Sequence, residues 1–353
     1  MASVKRTLSQ PTPAGLHPER ELTEPVRLCD SKGRLLQSSI GWSRHPLHTC
    51  NLSGHCPRKK RWNFWGITND TCCFSVLLAD TDYIGLAKAY FLEYETKRFI
   101  EQTVTVPLGR GCDLPETANR DVVFGSKAMS AAFLDEEGAT RVRVQSPAFG
   151  GTTLSAELLI ERPKGHETIN VVIPWSANVF NHNSKQICLP ASGTVSLGDQ
   201  AFSFEPGKAF GCLDFSRGIW PYRTFWNWAC FSGIQDGRSI GINLGGSWTD
   251  GTGMTENGIC VDGRVSKIGE DLRFSYDPSD QMKPWAITAP VSGRIDLRLV
   301  PFFERVAITN RLVIRSEFRQ VFGRFSGIVV PDDGQAIEVT DMIGWVEQHR
   351  ARW

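Results

Sequence analysis

Short runs in which apolar and polar residues alternate dominate the chain from Glu101 onward. Residues 103–106, 141–144, 154–160 and 168–173 carry the two-residue period of half-buried strands, rich in Val, Ile and Thr. Residues 193–197 and 201–204 read as a hairpin turned by Gly198-Asp199-Gln200. Residues 260–265 form a sharper case, because Asp262-Gly263 supplies the positive φ of a two-residue type I′ turn. Further strands are expected at 239–244, 272–276, 293–299, 325–330 and 336–339, and the apolar run 72–79 reads as a buried strand. Strands at this spacing, with few helices, indicate a mostly β fold built as a barrel or sandwich. Two segments fit less well. Residues 84–102 hold Ala, Leu, Lys and Glu at helical density, and 340–352 open on a Thr-Asp pair suited to a helix cap. Either could instead be a curved strand with one wet face.

Length and charge narrow the function classes. With 353 residues, the chain can form two domains or one large β architecture. Residues 1–24 read as a flexible or loosely docked tail without an apolar signal core. A Gly, Pro and Trp cluster places a boundary within 205–220, giving domains of 25–210 and 211–353. Lys plus Arg number 39 against 38 Asp plus Glu, so no global field draws nucleic acid. The cationic run Arg58-Lys59-Lys60-Arg61 is expected as a solvated loop. No apolar stretch has the length of a membrane span, and the ten cysteines lack the framework of a small secreted domain, which points to a soluble, cytoplasmic protein.

Tryptophan is abundant, with 11 residues, and clusters beside polar side chains. The densest segment runs 213–228, with Asp214, Arg217, Trp220, Tyr222, Trp226, Asn227 and Trp228. Asp214 either pairs with Arg217 or Arg223, or is a carboxyl held against aromatic walls, where desolvation would let it donate a proton. A second segment, 243–258, holds Asn243, Trp248, Asp250, Thr255, Glu256 and Asn257 among glycines. It has neither a Gly-Lys-Ser/Thr nor a Gly-x-Gly-x-x-Gly motif, so a rim loop fits better than a phosphate cradle. Asp250 could be only a turn residue. A third segment has Trp175, Asn178, Asn181, His182 and Lys185, in which His182 could exchange a proton or be structural. Trp62 and Trp65 resemble another pocket wall. His45, His48, Cys50, His55 and Cys56 suggest zinc, but no paired Cys-x-x-Cys accompanies them and no metal or other cofactor is expected.

The runs Trp220-Pro221-Tyr222-Arg223 and 249–257, with Leu28-Cys29-Asp30, Gly41-Trp42-Ser43-Arg44, Lys59–Asn63, Leu189–Gly193, 267–271 and Gly344-Trp345, resemble a bacterial and fungal family known as domain of unknown function 2804. The resemblance covers nearly everything from residue 25 onward. That family is similar to the double-lipocalin-like group of carotenoid 1,2-hydratase and fungal Diels–Alderase-type cyclases. The likeness implies two consecutive lipocalin-like antiparallel β-barrels with a pocket for a hydrophobic small molecule. It also implies an Asp with nearby His, Trp and Tyr, for which Asp214, His182, Trp220 and Tyr222 are counterparts by type. Three functions follow as expectations. One is acid-catalysed hydration, isomerisation or cyclisation of an unsaturated or polycyclic molecule, with Asp214 as first acid and Glu256 as second, alongside His182 and Tyr222. The second is lipid or isoprenoid binding without chemistry, and the third is carbohydrate chemistry on paired carboxylates.

Overall fold

The computed structural model describes residues 15–311 and 314–353. Among these residues the structure is almost entirely β, with one short 3-10 turn at Gln37–Ser39 and no α-helix. A thirteen-stranded sheet holds Lys59–Thr68, Cys72–Asp80, Ile84–Glu93 and Phe99–Pro107 on one side of Phe210–Ile219, and Val179–Leu197 with the strands between 122 and 161 on the other. A nine-stranded sheet follows, with Arg223–Gln235, Arg238–Gly246, Ile295–Arg311, Ile314–Val329 and Ile337–Arg352 as its long members. Both sheets curl, giving a two-part lipocalin-like barrel architecture. The chain passes from one sheet to the other at 220–222, so a division drawn by sheets falls there, after Phe210–Ile219, which pairs in the first sheet. No helix among the described residues is long and apolar enough to cross a membrane.

Each barrel fills its own interior. Trp65, Ile67, Phe74, Val76, Phe91, Leu213 and Phe215 belong to one apolar cluster, and Ala229, Phe231, Trp285, Leu297 and Val346 to another. The alternate positions of the same strands face the other way. Phe64, Tyr90, Cys212, Trp228, Cys230, Phe322 and Trp345 meet in a third cluster, which is the seam between the barrels. A strand buried on both faces loses the hydrophobic-in, polar-out alternation that marks a one-sided sheet. This is why residues 84–102 misled. They form two strands, Ile84–Glu93 and Phe99–Pro107, with Ala87, Ala89 and Phe91 in the first interior and Tyr90 and Leu92 in the seam. The helical alternative for 340–352 also fails: Thr340-Asp341 lies at a bulge within Ile337–Arg352, where Asp341 takes φ 59°. The Asp262-Gly263 hairpin is as expected, with φ values of 49° and 74°.

Val179–Leu197 ties the first barrel together. Its front half pairs with Ile169–Ser176 and Phe210–Ile219, and its back half with Thr152–Glu161 and Gln200–Phe204. The change of direction falls at a bulge between Gln186 and Leu189, where Cys188 takes φ 56°. Residues 15–22 of the expected tail are docked: Leu16 bridges Glu270, and the Glu19 carboxylate pairs with Lys267 and accepts the Thr255 amide. The cationic run is not a solvated loop either. Lys59 pairs with Asp82 at 3.3 Å, Arg61 pairs with Asp80, and Lys60 is buried.

Candidate active site in the seam between the barrels

One parity of the central strands delivers polar side chains to the seam. On Val179–Leu197 these are Asn181, Asn183 and Lys185, and on Phe210–Ile219 they are Asp214 and Ser216. Lys185 Nζ lies 3.1 Å from Asp214 Oδ1 and 3.3 Å from Glu256 Oε2, so one buried ammonium bridges both acids. The same Nζ lies over the Trp228 ring, 4.1 Å from its centroid, a cation–π contact. Burial would lower the lysine's proton affinity, but Asp214 and Glu256 together outweigh it and raise the pKa. The carboxylates are otherwise held by indoles and an amide. Trp62 Nε1 donates to Asp214 Oδ2 at 3.0 Å, Trp248 Nε1 to Glu256 Oε1 at 3.2 Å, and Asn183 Nδ2 to Glu256 Oε2 at 3.1 Å.

A floor of tryptophan lies beside this group. Trp220 contacts Trp62, Trp175, Trp226, Trp248 and Trp353, with centroid separations of 5.1–6.1 Å. Two buried asparagines fix indole orientations: Asn181 Oδ1 accepts from Trp220 Nε1, and Asn243 Oδ1 accepts from Trp228 Nε1. The second barrel adds Glu347, which register places beside Trp228. Its carboxyl accepts from Gln320 Nε2 at 3.0 Å. Burial raises its pKa to about 8; Lys185 opposes the rise and the Asp214 charge adds to it. Glu347 therefore carries its proton at neutral pH. Nearby His349, pushed down to about 3 by burial and then by Lys88 and Arg305, is neutral there.

The expected site residues divide by strand parity. Trp62, Trp175, Asn181, Lys185, Asp214, Trp220, Trp226, Trp228, Asn243, Trp248 and Glu256 come together. Their neighbours point elsewhere. His182 faces the first barrel's interior, its ring tilted against His48 at 4.4 Å and its Nδ1 3.4 Å from Cys50 Sγ. Arg217 is also on that side; instead of pairing with Asp214, its guanidinium donates to the Pro115, Trp62 and Ser216 carbonyls and to Asn63. Trp65 is core of the first barrel, and Asn227 turns to Tyr276 and the Glu347 carbonyl. Asn178 is exposed, Tyr222 is 49% exposed, and exposed Asp250 caps the Ser247 amide as a turn residue. Thr255 and Asn257 brace the loop by donating to the Ile268 and Glu270 carbonyls. The His45 to Cys56 group does not converge: His48 and His55 bind the Ser39 and Gly33 carbonyls, and Cys56 is exposed. Among the described residues no three His, Cys, Asp or Glu side chains are grouped to hold a metal ion. Glu347, Asn183 and Trp353 were missed, although Trp345, Glu347 and His349 repeat at the two-residue spacing of a strand.

Gly245 makes room for Glu256, since a Cβ there would lie 2.2 Å from Oε1. Gly245→Ala is expected to push this carboxylate off Lys185 and Trp248 and to cost about 1–3 kcal/mol, as for a lost buried hydrogen bond. Denaturant unfolding and a structure of the variant check both statements. An unmoved Glu256 would contradict them.

Sequence and structure place this molecule in a class of two-part β-barrel proteins with a polar, tryptophan-lined seam. The chain belongs to the family described as domain of unknown function (DUF2804), whose model matches residues 19–353. No curated protein matches it by sequence. Solved structures similar in fold include CghA with Sch210972, at 12% identity and TM-score 0.49, covering 84% of this chain and 89% of that one. Kievitone hydratase from Nectria haematococca is similar at 12% identity and TM-score 0.45, covering 96% and 98%.

Proposed function

We propose that the seam is an acid–base site for a largely apolar, unsaturated or polycyclic small molecule, which it hydrates, isomerises or cyclises. One observation carries this reading: a buried carboxyl, Glu347, whose pKa burial pushes up, stands at the register of Trp228 beside a charge-compensated Asp214–Lys185–Glu256 group and a tryptophan floor. Protonating an alkene carbon leaves a carbocation, which indole faces stabilise through their quadrupoles. Loss of a proton or addition of water then completes isomerisation or hydration, and Glu347 regains its proton. Glu256 receives donors on both oxygens, and Asp214 receives the Trp62 indole on one and faces the Lys185 ammonium with the other, so these acids, preferred from sequence, serve better as fixed negative charge near the cation. The sugar-hydrolase alternative has less support, because Lys185 occupies the space between the two carboxylates that a glycosidic bond would need.

The test is turnover in deuterated water across a panel of isoprenoid, polyketide-like and polyaromatic compounds, followed by mass spectrometry. Glu347→Gln is expected to retain indole quenching by a substrate and to lose at least about a hundredfold in rate, the usual share of a general acid. Undiminished deuterium incorporation by E347Q would overturn the assignment. Ligands bound and released unchanged would favour a carrier instead.

A further inference from the structure

Lys60 lies on the seam-facing parity of Lys59–Thr68, two residues before Trp62, and is only 2% exposed. Its ammonium has one hydrogen-bond acceptor, the Thr81 carbonyl at a long 3.4 Å. Otherwise it rests on aromatic faces: Tyr83 at 4.7 Å and Trp353 at 5.8 Å. Trp353 in turn packs 6.1 Å from both Trp220 and Trp226, which places Lys60 at one edge of the tryptophan floor. The local acids are taken by its neighbours. Asp82 pairs with Lys59, and Asp80 and Asp82 with Arg61, while no carboxylate of the described residues is within ion-pair distance of Lys60. A buried ammonium without a counter-charge is costly, and rings replace only part of the lost hydration. Burial lowers its pKa to about 8, Asp82 and Asp80 opposing and Arg58 adding to the effect, so the amine is still mostly charged at neutral pH.

We infer that Lys60 anchors an anionic oxygen, a carboxylate or an enolate, at one end of the apolar molecule that the tryptophan floor receives. This rests on the reading that the seam binds such a molecule and adds its charge and orientation: the anionic end at Lys60, the reacting portion towards Glu347. Two of the three ammonium protons are available to that oxygen, in a site where a charged hydrogen bond is little weakened by water.

The experiment is a tryptophan-fluorescence titration of the full chain with 2-naphthoate, 9-anthracenecarboxylate and all-trans-retinoate, each beside its methyl ester. Lys60→Met keeps the stem's volume without the charge, and Lys60→Gln provides a second neutral variant. At least one acid is expected to bind about tenfold or more tightly than its ester, and this preference is expected to fall to near unity in both variants. Equal affinities of acid and ester in the parent, or a preference that survives in K60M and K60Q, would overturn the Lys60 assignment alone. Failure of every acid and ester to bind would remove the small-molecule reading of the seam and this inference with it.

Discussion

Lys185→Met will lower the stability of the protein by about 3–5 kcal/mol at pH 8, the usual cost of removing one partner from a buried ion pair. The variant leaves Asp214 and Glu256 facing one another without the ammonium that touches both. Two like charges in a solvent-excluded site cannot both remain ionised cheaply, so one must take up a proton. The loss is therefore expected to be deepest in alkali and to shrink towards pH 5, where protonation costs little. The triple variant K185M/D214N/E256Q, which removes all three charges, should recover most of it. Denaturant unfolding of the parent, single and triple variants at pH 5 and 8 decides the matter. A single variant within 1 kcal/mol of the parent at pH 8 would show that Lys185 does not compensate the acids.

The second large effect concerns Glu347. Its folded pKa of about 8 lies above the ordinary 4.5, so the folded protein holds a proton that the unfolded chain has released between those values. Stability from this group is fully present below pH 4.5 and is lost as pH rises through about 8. Across that window the loss amounts to on the order of 5 kcal/mol. Glu347→Gln keeps the shape and the oxygen that Gln320 donates to, but cannot ionise. Parent and variant should thus be close in stability near pH 4.5, with the amide gaining steadily up to about pH 8 and the difference levelling off above it. Parallel stability curves for the two would mean that Glu347 titrates as an ordinary surface acid.

Much of the fold was legible because period-two runs and the Asp262-Gly263 turn report local geometry directly. The site was legible only by segment. Asp214, Lys185 and Glu256 each stood in a stretch singled out for its chemistry, yet so did His182, Arg217 and Trp65, which face the first barrel's interior. A strand between two apolar layers gives no sign of which parity meets which layer. That is settled by the second barrel, whose contact with the first depends on residues far along the chain. Glu347 escaped notice for a related reason. The flanking Val346 and Trp345 are both buried, one in a barrel interior and one in the seam, so the segment lacks the wet face that would have marked it as a strand.

Filling each barrel separately has an evolutionary corollary. Volume removed from the seam opens no void in either interior, because the two packings share backbone but not side chains. Under the proposed reading of the seam, exchanging residues such as Trp226, Trp228 and Phe322 would reshape the space for a guest while the hydrophobic mass that drives folding stays intact. On that reading, selection for new ligands and selection for foldability would act on opposite faces of the same strands.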